Sequence, residues 1–314
     1  MAGAVTLREG VIVDPGAGTA FVPGRDGGID AIDLASGSVL WNTEEAAKPL
    51  YVADGVLLAQ RVPTGPGSLE LALLDARSGR LRNASTVEIE PEAWASVEDR
   101  PASIFRTSAA AVAGGVVLSW QQVSAPEDGA LRGYLPAETE GRAPAIDGDE
   151  QRLGAGQRAG QRPAAVERTG SARVDLRTGA VSALPEQQRD AQASTLRVGT
   201  VLADVEGRQL QSQDGRHVLV SERIEQPADP WSAYRWSIYE VTGALVGRFD
   251  SAISMAPFVV DRGGVVFVHP PGVVATAEGL VEQPLSLHHV DASSGVRMWT
   301  RAIRELEYRG PVAP

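Results

Sequence analysis

The chain has 314 residues, no cysteine, and a formal net charge of −11 from 40 acidic and 29 basic side chains. The missing thiols exclude a disulfide framework and thiolate metal sites. The acidic balance speaks against charge-driven docking on nucleic acid or anionic lipid, and no apolar run approaches the roughly 18–20 residues of a membrane-crossing helix.

The opening Met-Ala-Gly-Ala-Val has neither a basic segment nor an apolar signal core. The expectation is therefore a cytoplasmic protein if Met1 is the native start, and an extracytoplasmic one if an upstream signal has been trimmed. Residues 5–60 read as a first unit, with short strands at 11–13, 19–22, 29–33, 38–41 and 50–52. Within it, Asp33 can accept bonds from the backbone just ahead of it and start a turn. Gly37 can adopt the positive φ that closes a short hairpin. Val39 and Trp41 then share one face of the next strand.

That hairpin returns four more times. Asp75 with Gly79, Asp175 with Gly179 and Asp291 with Gly295 keep the same spacing, while Glu240 with Gly243 is one residue shorter. Each hairpin follows an apolar strand, at 19–22, 56–60, 116–120, 217–221 and 265–269. The intervals between the turns admit four short strands each, with a large insertion between the second and third copies. Strand-rich units repeated this way predict an all-β array, and radial stacking into a propeller removes long exposed edges.

The motifs Asp33-x3-Gly37-x3-Trp41 and Asp291-x3-Gly295-x3-Trp299 resemble the repeats of quinoprotein-type (PQQ-like) β-propellers. The resemblance covers about two thirds of the chain; copies one and five are good and copy four is poor. It implies an all-β propeller of four-stranded antiparallel blades, with five recognisable repeats and up to seven blades, in a single domain over 1–314. WD40 repeats fit less well, because Gly-His and Trp-Asp pairs are missing. Kelch repeats are the nearer rival, but the Gly-Gly doublets at 27–28, 114–115 and 263–264 keep no fixed phase with the hairpins. Ring closure is expected to combine strands from 308–314 and 5–13 in one blade.

Residues 56–112 read as a second unit. Its Glu88, Glu90 and Glu92 share one strand face, as a solvated edge or a weak divalent-cation site. Residues 124–170 are rich in Gly, Pro, Arg and Glu and poor in large apolar side chains. Such a stretch cannot offset its ordering entropy by burial, so a low-complexity rim insertion is expected there. A further strand is expected at 200–204, and residues 253–312 complete the array.

The most distinctive local composition lies at 225–239, where Trp231, Tyr234, Trp236 and Tyr239 cluster. They can pack between blades, or Trp231, Tyr234, Arg235 and Trp236 can form a rim patch for a partner, since Trp, Tyr and Arg dominate interface anchors. Other candidates carry less. His288 and His289 are adjacent on a strand and face opposite ways, and His217 and His269 lie on other strands, so no metal-ligand spacing results. Gly154-Ala-Gly156 has no strand before it and no crossover unit after it, so the dinucleotide reading fails. Asp147-Gly-Asp149-Glu150 lacks the ligand spacing of a calcium loop. Asn83-Ala-Ser85 is a glycosylation sequon that matters only in a eukaryotic secretory setting, and no Gly-x-Ser-x-Gly elbow occurs.

The expectation is a non-catalytic scaffold that binds a protein or peptide through one rim, with no cofactor. The alternative that the resemblance implies is a quinone- or metal-dependent enzyme, using calcium or PQQ in a central channel. The vicinal disulfide of many alcohol dehydrogenases of that kind is excluded, and no matching central Glu, Asn and Asp set can be carried over.

Overall fold

The computed structural model describes residues 4–62, 68–89, 103–112, 115–124, 166–184, 208–212, 215–225, 233–251, 259–261, 264–276 and 279–304, together with 202 and 205. Every regular element among them is a strand, and among these described residues no helix is long and apolar enough to cross a membrane. The strands form successive antiparallel meanders.

The first sheet holds β1 (Val5–Arg8), β2 (Val11–Asp14), β3 (Thr19–Pro23), β4 (Ile29–Asp33) and β5 (Val39–Thr43). The second holds β6 (Lys48–Ala53), β7 (Val56–Gln60), β8 (Ser68–Asp75) and β9 (Leu81–Glu88). The third holds β10 (Ser103–Val112), β11 (Gly115–Ser124), β12 (Val166–Val174) and β13 (Val181–Ala183). The fourth holds β14 (Arg208–Gln211), β15 (His217–Arg223), β16 (Tyr234–Glu240) and β17 (Leu245–Ser251). The fifth pairs β18 (Val259–Asp261), β19 (Gly264–His269), β22 (Ser286–Asp291) and β23 (Arg297–Ala302). A separate hairpin, β20 (Gly272–Thr276) with β21 (Gly279–Gln283), is inserted between β19 and β22.

All five acid-to-glycine turns join the last two strands of a sheet. In the first, the Ser36 N–H and hydroxyl both donate to Asp33 Oδ1 at 2.7 Å. The Gly37 N–H donates to the Asp33 carbonyl at 2.8 Å, with Gly37 at φ 70°. Asp75, Asp175 and Asp291 repeat the pattern. At Glu240, whose longer side chain takes the Thr242 hydroxyl instead, the Gly243 N–H closes a tighter loop. Bonding to backbone N–H and hydroxyl groups favours the ionised carboxylate. Asp291 is held down to about 2 by Ser294 and Ser293, and Asp75 to about 2 by Arg82 first and Ser78 second.

The unit boundaries differ from the sequence expectation. The first sheet ends at Thr43, and residues 48–60 open the second, because β6 pairs with β7 across the tight Asp54-Gly55 turn. Likewise β10 opens the third sheet rather than closing the second. Residues 5–13 pair as β1 and β2 within the first sheet, and 308–314, expected to join them in one blade, lie outside the described residues. The expected insertion at 124–170 is also narrower: 166–170 belong to β12, which pairs along β11. The expected strand at 200–204 falls almost wholly outside the described residues.

Strand alternation sends the two faces of the first, second and fifth sheets to different neighbours. In the first sheet Ile12, Phe21, Ile29 and Ala31 pack on Val52, Leu57, Ala72 and Leu74 of the second. Its other face, through Val11, Val13, Ala20, Val22 and Ile32, packs on Val266, Val268 and Leu287 of the fifth. The second sheet's remaining face meets Val116, Leu118, Ala172 and Val174 of the third. Leu219, Trp236, Ile238 and Phe249 of the fourth meet Val265, Phe267 and Val290 of the fifth. Burial on both faces is why the second strands read as unbroken apolar runs.

The last strand of the first, second, fourth and fifth sheets adds to a clasp. Trp41 Nε1 donates to the Ala76 carbonyl at 3.2 Å, and its ring covers Gly79, where a Cβ would stand 2.6 Å away. Trp299 Nε1 donates to the Leu34 carbonyl at 2.9 Å and covers Gly37. Asn83, at the matching position of the second sheet, donates to the Thr178 carbonyl beside Gly179. Gly247 approaches the Ala292 carbonyl so closely that any Cβ would collide. The turns at Gly37, Gly79, Gly179 and Gly295 are thus covered by the fifth, first, second and fourth sheets respectively, whereas Gly243 has no neighbour within 4 Å among the described residues.

Candidate binding site at the junction of three sheets

The antiparallel meander puts its turns on two sides. On one side lie the short turns, such as Asp54-Gly55 and the acid-to-glycine hairpins. On the other, β3, β7, β11, β15 and β19 end and the strands that pair with them, β4, β8, β12, β16 and β22, begin. The β1–β2 turn at Glu9-Gly10, the start of β6 and the end of β7 all lie on this second side.

There a polar cluster crosses three sheets. Lys48, first residue of β6, is 1% exposed. Its ammonium donates to Glu9, to the Thr107 hydroxyl at 2.7 Å and to the Thr107 carbonyl at 3.2 Å. The Thr107 hydroxyl donates in turn to Gln60 Oε1 at 2.8 Å, and the Thr107 N–H to Glu9 at 3.3 Å. All three ammonium hydrogens are used. Burial lowers the Lys48 pKa, Glu9 opposes that fall, and the nearby Arg106 adds to it. The arrangement ties the first three sheets together through one charge.

Beside this cluster opens a cavity of about 380 Å³. Ile12, Leu50 and Ala109 supply apolar wall, and Glu9, Arg106, Ser108, Ser119 and Gln121 supply polar groups. Arg106 stands opposite Gln121, and Ser108 opposite Ser119, across the β10–β11 pair. Directly opposed residues of an antiparallel pair project to the same face, so these four form one polar strip. Sequence reading missed Lys48, Glu9, Thr107 and Arg106. The available signal was a lone lysine between Ala46-Ala47 and Pro49-Leu50, but nothing local says which groups would meet it.

A second polar cluster sits at the end of β19 and the start of β22. The Ser286 hydroxyl and His288 Nε2 are hydrogen-bonded at 2.8 Å. The His288 ring lies 5.3 Å from Phe267 and 5.2 Å from His269. This has the contacts of a nucleophile and base, but burial, Arg297 and His269 push His288 down to about 3. A base that weak does not take a serine proton at neutral pH. As the adjacent-strand argument requires, His289 faces the other way, against Trp299. Among the described residues no three His, Asp or Glu side chains converge as metal ligands. Of the acidic trio, Glu88 ends β9 and is exposed, while Glu90 and Glu92 lie outside the described residues.

The expected rim patch divides. Trp231 lies outside the described residues. Trp236 is 0% exposed and stacks on Phe249 with centroids 6.4 Å apart. It is therefore not a surface anchor: alternation along β16 puts Tyr234, Trp236 and Ile238 on the face that packs on the fifth sheet. Tyr234 is half-buried at the border of that core. Arg235 is exposed on the opposite face and forms a two-point pair with Asp250, at 3.0 and 3.2 Å.

No family model matches the chain, and no curated protein matches it. Distant likenesses occur among solved structures. The uncharacterized protein lmo1340 from Listeria monocytogenes EGD-e is 7% identical, with a TM-score of 0.25 over 96% of this chain and 65% of that one. The AtxE2 isopeptidase in its apo form is 17% identical, with a TM-score of 0.26 over 96% of this chain and 44% of that one. A europium-containing methanol dehydrogenase is 10% identical, with a TM-score of 0.28 over 96% and 53%. The chain thus spans less than two thirds of the length of these solved chains. Scores this low assign neither fold nor activity.

Proposed function

We propose that the five sheets close into a β-propeller and that the chain is a non-catalytic scaffold holding a protein or peptide on one rim. The observation that carries this reading is the one-sided distribution of connection length. The turns on one side are short, whereas on the other the chain leaves β11 at Ser124 and returns at Val166, leaves β15 at Arg223 and returns at Tyr234, and carries the β20–β21 hairpin. Loops free of scaffold duty are where binding residues concentrate. Closure of the ring is supported by the packing and clasp of the fifth sheet on the first.

The test compares partner recovery by the native chain with that by two variants. One carries Trp231→Ala, Tyr234→Ala and Arg235→Ala, at and just before the start of β16 in the chain. The other carries Arg77→Ala and Ser36→Ala on the short-turn side. Loss only in the first supports the reading, and equal recovery by both removes this segment from the interface. A second reading, an enzyme with a quinone or metal in a central channel, is favoured by the cavity beside Lys48. Spectral change on adding calcium and quinone would select it.

A further inference from the structure

We infer that the Glu240–Gly243 turn of the fourth sheet is a docking site for a tryptophan side chain on a partner polypeptide. The molecule holds its own pattern for such a site. At two sister turns an indole from the neighbouring sheet packs over the glycine. Its Nε1 donates to the carbonyl of the residue after the acid, Trp299 to Leu34 and Trp41 to Ala76.

The fourth turn offers the same acceptor. Val241, the residue after the acid, donates its N–H to the Arg216 carbonyl, just ahead of β15. Leu34 and Ala76 are anchored alike, on Gly18 ahead of β3 and Gly55 ahead of β7. The one-residue shortening of this loop comes after Val241, so the anchor is kept. Among the described residues the Val241 carbonyl accepts no hydrogen bond.

What differs is cover. Gly37 and Gly79 are buried, whereas Gly243 is exposed, with no neighbour within 4 Å among the described residues. Leu34 is 1% exposed and Val241 38%. The cause lies in the third sheet. Eight positions after its acid, where the first and fifth sheets carry Trp41 and Trp299, stands Ala183, itself exposed. A methyl group cannot reach across to a neighbouring sheet. Residues 184–207, which lead into the fourth sheet, contain no Trp, Tyr or Phe.

Chemistry then selects the occupant. An indole joins a broad apolar face to a single N–H donor, and the turn presents an apolar side chain, a glycine without Cβ and one carbonyl acceptor. Tryptophan is also strongly enriched among interface anchors. Seated here, it continues the interface that Trp299 and Trp41 already form at Gly37 and Gly79. The site lies on the short-turn side, so it goes beyond the reading of the opposite rim and does not depend on it.

The test follows backbone amide resonances of 241–245 in the full chain. The probes are the blocked peptide acetyl-Gly-Trp-Gly-amide, its 1-methyltryptophan and phenylalanine analogues, and free indole. The expected result is saturable shifts with the tryptophan peptide and about fivefold weaker binding by both analogues, which lack the donor. Val241→Glu is expected to abolish binding with an unchanged melting temperature, while Leu40→Glu, at an exposed leucine of the first sheet, leaves it intact. No saturable shift, equal binding by either analogue, or binding undiminished by Val241→Glu would overturn the inference. Two further outcomes would also overturn it. Free indole binding as tightly as the peptide assigns the turn to a small molecule. Self-association of the native chain that Val241→Glu abolishes assigns it to a second copy. Because these outcomes are read at 241–245, they stand apart from loss of a rim partner in the variant altered at 231, 234 and 235.

Discussion

Two buried polar clusters on the same side of the molecule solve one problem in opposite ways. At Lys48 the charge is kept: burial pulls the ammonium toward neutrality, and Glu9 with two Thr107 oxygens pulls it back. At His288 the charge is given up: no carboxylate among the described residues offsets its burial, Arg297 and His269 repel its proton, and Phe267 packs on it. The difference shows that burial alone does not decide protonation. What decides is whether the fold brings an acid and enough acceptors to the group from another element.

Removing the kept charge should have the largest effect. Lys48→Ala is expected to destabilise by about 3 kcal/mol, because it opens a cavity and strands Thr107 and Glu9. Chemical denaturation measures it, and a loss under about 1 kcal/mol would mean that Lys48 is not the tie between the first three sheets. The contrast is then sharpened by pH. His288 has its folded pKa lowered from 6.5 to about 3, so its neutral form is stabilising. That contribution is whole above pH 6.5 and is lost as pH falls toward 3. Melting temperature should therefore drop between pH 7 and 4, and His288→Leu should flatten that drop. The turn aspartates Asp75 and Asp291, lowered from 3.8 to about 2, add a separate loss that begins only below about pH 4.

Smaller effects separate partners from core. Glu9→Gln keeps an acceptor for Lys48 and is expected to cost about 1 kcal/mol. It should also lower the Lys48 pKa further, which side-chain NMR of the lysine would register. Ser286→Ala should cost about 0.5–1 kcal/mol, the worth of one neutral hydrogen bond. A markedly larger loss would mean that Ser286 does more than satisfy the imidazole.

Much of the fold was legible. The acid and the glycine of each hairpin lie within five residues, and turn chemistry acts at that range, so all five corners could be placed. The strand before each hairpin was visible for the same reason. Phase was not: whether 48–53 closed one sheet or opened the next depends on which neighbour it pairs with. The aromatic segment shows the same limit. Alternation alone puts Tyr234, Trp236 and Ile238 on one face of one strand, yet which face turns inward is set by the fifth sheet.

Turn and strand grammar could be read from the residues alone, because φ preference, side-chain-to-backbone bonding and alternation are local. Only the tertiary structure decided that Trp41 and Trp299 cover the next glycine, or that Lys48 meets Glu9 and Thr107. Those meetings join residues far apart in the chain. They are selected by how whole sheets stack to hide their apolar faces, and no short stretch encodes that.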